Sequence, residues 1–121
     1  MPAENLKLRT FRFAVEVGKL VQLLPYSILN RHYFGQITRS SSSTAANYRA
    51  AQRAKSDADF LNKLKIVEEE ADETVFFLEL LLVFNAEYEK PIQDLIDEGT
   101  EILKMIVASI NTMRSKIKNK K

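Results

Sequence analysis

The chain has no cysteine, no tryptophan, one histidine, three glycines and three prolines in 121 residues. Without cysteine there is no disulfide framework, no thiolate zinc or iron–sulfur site and no cysteine nucleophile, which is compatible with a reducing compartment. A single histidine excludes the paired Glu-x-x-His motifs of di-iron bundles, which need two. His32 itself has no serine and carboxylate partner in any recognisable catalytic motif and is expected as a plain surface residue on a helix flank. Six glycines and prolines are too few for an all-β chain, which turns about every 8–12 residues. The longest apolar run, Val75 to Phe84, is interrupted by Glu79 and falls far short of the roughly 20 residues of a membrane span. Met1 to Thr10 lacks the apolar stretch of a secretory signal. These absences point to long helices in a cytoplasmic chain that does not enter the membrane, and the length suits one domain over residues 1–121.

Four helices follow from apolar spacing. The first covers about 8–24: Phe13, Val17, Leu20 and Leu24 step by four, three and four, and Pro25 ends it. Phe11 and Val15 extend its apolar arc past what one-sided packing needs. The second covers about 28–54. Its serine run, Ser40 to Ser43, has the composition of a linker, but Ile37, Thr44 and Tyr48 hold one helical register through it and Ala45, Ala46, Ala50 and Ala51 favour the helix. Ser56 with Asp59 forms a capping box for the third, about 57–84, whose core repeat is Phe60, Leu64, Val67, Ala71, Thr74, Leu78 and Leu81. The fourth, about 91–117, opens with Pro91 in its first turn and aligns Ile92, Leu95, Gly99, Leu103, Ile106 and Ile110. Short connections imply an all-α, antiparallel up-down-up-down four-helix bundle.

Phe76, Phe77, Leu80, Val83 and Phe84 share the outer side of helix three. Together with the wide arc of helix one they exceed the apolar surface a monomer leaves in water, so they are the candidate interface of a homo-oligomer, unless helix four or the loops cover them within the chain. Elsewhere, glycine-rich phosphate cradles are absent, since Gly18, Gly35 and Gly99 stand alone inside helices. Neither catalysis nor a cofactor is expected. Glu69, Asp72 and Glu73 share a face and invite a hard cation, but a charge run on an amphipathic helix is more often a solvated or salt-bridging face.

Arg31, Arg39, Arg49 and Arg53 fall within an arc of about 80° over about 33 Å of helix two, separated by the small residues Gly35, Ser42 and Ala46. Such a row can follow a phosphodiester backbone or pair with the acidic residues of helix three or of a neighbouring subunit. Lys55 and the C-terminal Arg114, Lys116, Lys118, Lys120 and Lys121 add further basic candidates for nucleic-acid contact, although cations at a helix end also offset its dipole. The net charge of +2 is a cancellation: residues 66–101 carry one Lys/Arg against twelve Asp/Glu, while residues 102–121 carry six against none.

Ala46-Asn47-Tyr48-Arg49-Ala50-Ala51-Gln52-Arg53-Ala54-Lys55-Ser56, with Asp59-Phe60, Lys63-Leu64 and Ile66-Val67-Glu68-Glu69-Glu70-Ala71-Asp72-Glu73, resembles the bacterial 23S ribosomal RNA intervening-sequence protein family. Leu24-Pro25 and Gln36-Ile37-Thr38-Arg39-Ser40 match that family's Leu-Pro helix end and Gln-Leu-x-Arg-Ser segment. A more distant similarity is to the accessory variability determinant of diversity-generating retroelements. Tyr48-Arg49-Ala50 stands where many intervening-sequence members have Ile-Ala-Glu-Gly, which places the chain in a different subgroup. The resemblance implies a four-helix bundle assembled as a homopentameric ring and, through the retroelement relative, binding of RNA or an RNA–DNA intermediate. The competing expectation is a scaffold whose charged residues close the ring and whose partner is another protein.

Overall fold

A computed structural model describes residues 3–120, with side chains from Leu6 onward; Met1, Pro2 and Lys121 lie outside the described residues. Four helices account for nearly all of it: α1 (Ala3–Leu23), α2 (Ile28–Ala51), α3 (Asp57–Phe84) and α4 (Glu89–Asn119), with one 3-10 turn, Ala86–Tyr88, before α4. The described residues contain no strand. Each helix packs on its neighbours in sequence, and α4 returns against α1, the slightest of the four contacts. The diagonal pairs α1/α3 and α2/α4 make no close backbone approach among the described residues, and the helices alternate in direction around one core.

The ends have identifiable causes. Pro25 closes α1 after Leu24 donates its N–H to the Leu20 carbonyl at 3.0 Å. Ser27 caps α2, its hydroxyl accepting from the Asn30 N–H at 2.9 Å. The serine run is helix and not linker: Ser40 and Ser41 are buried, and their hydroxyls donate back to the Ile37 and Thr38 carbonyls at 3.3 and 3.4 Å. Thr74 donates its hydroxyl to Ser40 Oγ at 2.8 Å, so the small residues of α2 let α3 approach closely.

α1 begins at Ala3 rather than near Leu8, and two further boundaries and one cap differ from expectation. α2 ends at Ala51 rather than Ala54, because Arg53 and Ala54 turn their N–H groups to the carbonyls three residues back, at 3.0 and 3.1 Å, and begin the reversal into α3. α4 begins two residues before Pro91, which sits in the first turn where its missing N–H costs nothing. The capping box is incomplete: Ser56 Oγ accepts from the Asp59 N–H at 3.1 Å, but the Asp59 carboxylate reaches the Lys55 N–H at 3.1 Å instead of that of Ser56.

The core is continuous, from Phe13, Val17 and Leu20 through Ile37 and Tyr48 to Leu64, Leu78, Leu81, Ile92, Ile102 and Ile106. On α4 the buried position is Ile102, and the expected Leu103 is half-buried, because the stripe faces α3 more than α1. At the loop end Asn30 and Asn85, both buried, exchange amide hydrogen bonds of 2.7 and 2.9 Å.

Candidate nucleic-acid interface

The arginine row of α2 is divided by its neighbours. Arg39 leans toward α3, where Nη1 lies 3.1 Å from Glu70 Oε1 and Nη2 donates to Glu73. The hydrogen bond that Arg39 donates to Glu73, with help from Glu70, holds this guanidinium above its usual range. Arg39 is therefore occupied within the chain, as is Glu73, a member of the suspected cation cluster; Glu69 and Asp72 are exposed. No group of three His, Cys, Asp or Glu side chains is placed to hold a metal among the described residues. Arg31 is exposed in the first turn of α2, at the opposite end of that helix from Arg49. Arg49 is exposed in its last turn, and Arg53 and Lys55 are exposed on the turn beyond, all three without an ion pair to a described residue.

The C-terminal cations meet that turn. Asp57, the first residue of α3, accepts from Lys120 and lies 3.6 Å from Lys116 Nζ. These contacts, led by the Lys120 hydrogen bond, hold the Asp57 carboxyl below the usual carboxylate range. Their larger consequence is geometric: Asp57 fastens the end of α4 to the α2–α3 turn. Arg53 and Lys55 thus share one end of the bundle with Arg114 and Lys118, both exposed and without an ion pair to a described residue.

Antiparallel packing also sorts charge along the axis. The half holding the α2–α3 turn (residues 6–13, 40–70 and 104–120) carries thirteen Lys/Arg and five Asp/Glu, and the other half (residues 14–39 and 71–103) carries four and ten. The acidic block read along the sequence is cut in two by the fold, and most of it faces away from the basic end. Chain order hides this polarity; the alternating directions of the four helices, already expected from the short loops, are what would have revealed it.

The apolar set on α3 also divides. Phe77 is half-buried, its ring centroid 6.0 Å from that of Tyr33 on α2, and Leu80 is half-buried as well. Phe76, Val83 and Phe84 remain more than half exposed, although Phe84 approaches the Tyr33 ring at 6.2 Å. His32 is exposed and touches only Tyr33 edge-on among the described aromatic rings.

A family model described as 23S rRNA-intervening sequence protein matches residues 6–108. Among solved structures, a protein of unknown function from the S23 ribosomal protein family of Bacteroides thetaiotaomicron is 34% identical, with 87% of this chain and 97% of that one covered and a TM-score of 0.76. No curated protein matches the chain.

Proposed function

Because the chain belongs to the 23S rRNA-intervening sequence protein family, we propose that it is a non-enzymatic, homo-oligomeric bundle of the cytoplasm, assembled as a ring of five, that binds structured RNA or an RNA–DNA intermediate through its basic end. The supporting observation is the convergence at Asp57: two basic segments some sixty residues apart in sequence meet at one end of the bundle, with Arg53, Lys55, Arg114 and Lys118 free of ion pairs to described residues. Exposed guanidinium and ammonium groups on rigid helix ends neutralise phosphates without reading bases, which suits recognition by shape. Arg39 lies outside the surface because Glu70 and Glu73 hold it, and Arg31 because it sits at the other end. No helix of the described residues is long and apolar enough to cross a membrane.

Four phosphate contacts imply a log–log salt slope of about −3.5, that is, roughly a hundredfold loss of affinity between 50 and 200 mM salt. Fluorescence anisotropy with ribosomal RNA fragments over that range tests the proposal, and absence of binding at low salt refutes it.

The second possibility, a protein scaffold whose charged residues serve assembly alone, draws support from the Arg39 pairing, which already commits one arginine of the row to the fold. In that case Arg53→Ala shifts the mass measured by light scattering and leaves RNA affinity unchanged.

A further inference from the structure

Between α1 and α2 runs an open groove of about 510 Å³, floored by Ala14, Ser42, Ala45 and Ala46 and walled by Leu8 and Phe11. Phe11 is 61% exposed, Leu8 48% and Val15, one turn further along the same face, 41%. Gly18 continues that face, and a Cβ built on it meets nothing within 4 Å. Lys7 and Arg49 stand on the rim, and Arg12 is exposed on α1, flanking Leu8 on the side away from α2. A glycine inside a helix costs about 0.5–1 kcal/mol relative to alanine, and no contact within the chain requires one at position 18.

On the opposite corner, α3 shows a face of complementary character. Ile66, Phe76, Val83 and Phe84 are its exposed apolar residues, and Glu69, Asp72 and Glu79 lie among them, exposed and without an ion pair to a described residue. α1 and α3 point the same way, being separated by one antiparallel helix. Ile66 and Phe76 are ten residues apart, as are Leu8 and Gly18, about 15 Å along each helix. With the two helices side by side and parallel, Ile66 meets Leu8 and Phe11 at the level where Phe76 lies over Gly18, and Glu69 and Asp72 fall beside Arg12 and the basic rim.

We infer that the α1/α2 groove of one copy seats the outward face of α3 of the next, with Phe76 packed over Gly18 and Glu69 and Asp72 facing Lys7, Arg12 and Arg49. The inference rests on the self-association proposed above and supplies what Phe76 alone lacks, an acceptor surface. Donor and acceptor are different faces of one chain, so every copy carries both and the contact repeats head to tail into a closed ring. It also divides the cations: Arg49 serves assembly, while Arg53, Lys55, Arg114 and Lys118 stay exposed at the basic end.

Complementation of two broken variants tests it. Gly18→Leu fills the acceptor and Phe76→Asp spoils the donor; each is expected to run at the protomer mass of 13.9 kDa in light scattering, with unchanged helical circular dichroism. Mixed in equal amounts, the intact donor of the first and the intact acceptor of the second combine into a species of twice that mass. An assembled wild type with an equally assembled Gly18→Leu variant overturns the groove, as does a mixture that stays at protomer mass. A wild type that itself runs as a protomer overturns self-association as a whole. If the circular dichroism of Gly18→Leu changes, Arg12→Glu replaces it, and Glu69→Arg added to the same chain restores the wild-type mass; no restoration counts against the pairing.

Discussion

Replacing Asn85 by alanine opens the loop end of the bundle at its only buried amide pair among the described residues. Asn85 is 3% exposed and Asn30 2%. Asn85 Nδ2 donates to Asn30 Oδ1 at 2.9 Å and to the Leu81 carbonyl at 2.8 Å, while Asn30 Nδ2 donates to Asn85 Oδ1 at 2.7 Å and to the Pro25 carbonyl at 2.9 Å. The substitution removes three of these four bonds and leaves the Asn30 carbonyl without a partner in a site that excludes water. The orphaned buried polar group costs about 1–3 kcal/mol with its own lost bond included, and the two other lost neutral bonds about 0.5 kcal/mol each net, so a total near 3 kcal/mol is expected. For a chain of this length that lowers Tm on the order of 10 °C. Urea unfolding followed by circular dichroism, at fixed protomer concentration because assembly shifts apparent stability, supplies the number. Asn30→Ala alone should cost a similar amount, and the double variant about 1–2 kcal/mol less than the sum of the two, because the second change removes the group the first had orphaned. Strictly additive costs, or a single-variant cost under about 0.5 kcal/mol, would refute the assignment of this pair as the link between the α1–α2 loop and α3.

Gly99→Ala should destabilise by about 1–3 kcal/mol, because its Cβ meets Val75 Cγ2 at 2.9 Å and Phe13 Cζ at 3.0 Å. Gly35→Ala, where nothing lies within 4 Å, should stabilise by about 0.5–1 kcal/mol; urea midpoints of the same sign for both contradict this. Phe13→Ala, at a position 2% exposed in the centre of the core, should cost about 3–5 kcal/mol by the same measurement. Acid should also weaken the fold. Lys120 and Lys116 hold the Asp57 carboxyl below its usual range, and Lys63 with the Lys55 N–H does so for Asp59. Carboxyls lowered on folding contribute stability above the ordinary carboxylate range, and that contribution is lost as pH falls through that range and below it. Thermal melts from neutral pH down past about pH 4 should show a steeper acid decline for wild type than for Asp57→Asn; identical profiles would contradict it.

Most of the architecture is legible along the chain because local signals agree with tertiary needs. Pro25, Ser27 and Ser56 mark ends that any packing would have to respect, and the register of Ile37, Thr44 and Tyr48 carries helix through four serines. The end of α2 at Ala51 is not marked, since no glycine or proline lies between Ala51 and Ser56; it is set by the reversal into α3. Whether the arginine row pairs or stays free also depends on relative rotation of helices, which periodicity does not encode. Arg39 and Arg49 differ by less than half a turn around α2, yet one meets Glu70 and Glu73 and the other borders an apolar groove. Convergence of the α4 terminus on Asp57 likewise needs the fold, because about sixty residues separate the partners.

The most direct test of the basic end sets two triple variants of equal charge against each other. Arg53→Ala/Arg114→Ala/Lys118→Ala removes three cations from the α2–α3 turn end, and Lys19→Ala/Arg31→Ala/Lys90→Ala removes three from the other half. With a ribosomal RNA fragment titrated from low to moderate salt, the first variant should lose affinity throughout and flatten the log–log salt slope by about 2–3, while the second keeps the wild-type slope. Equal losses in the two variants, or none in the first, would contradict phosphate binding at this end.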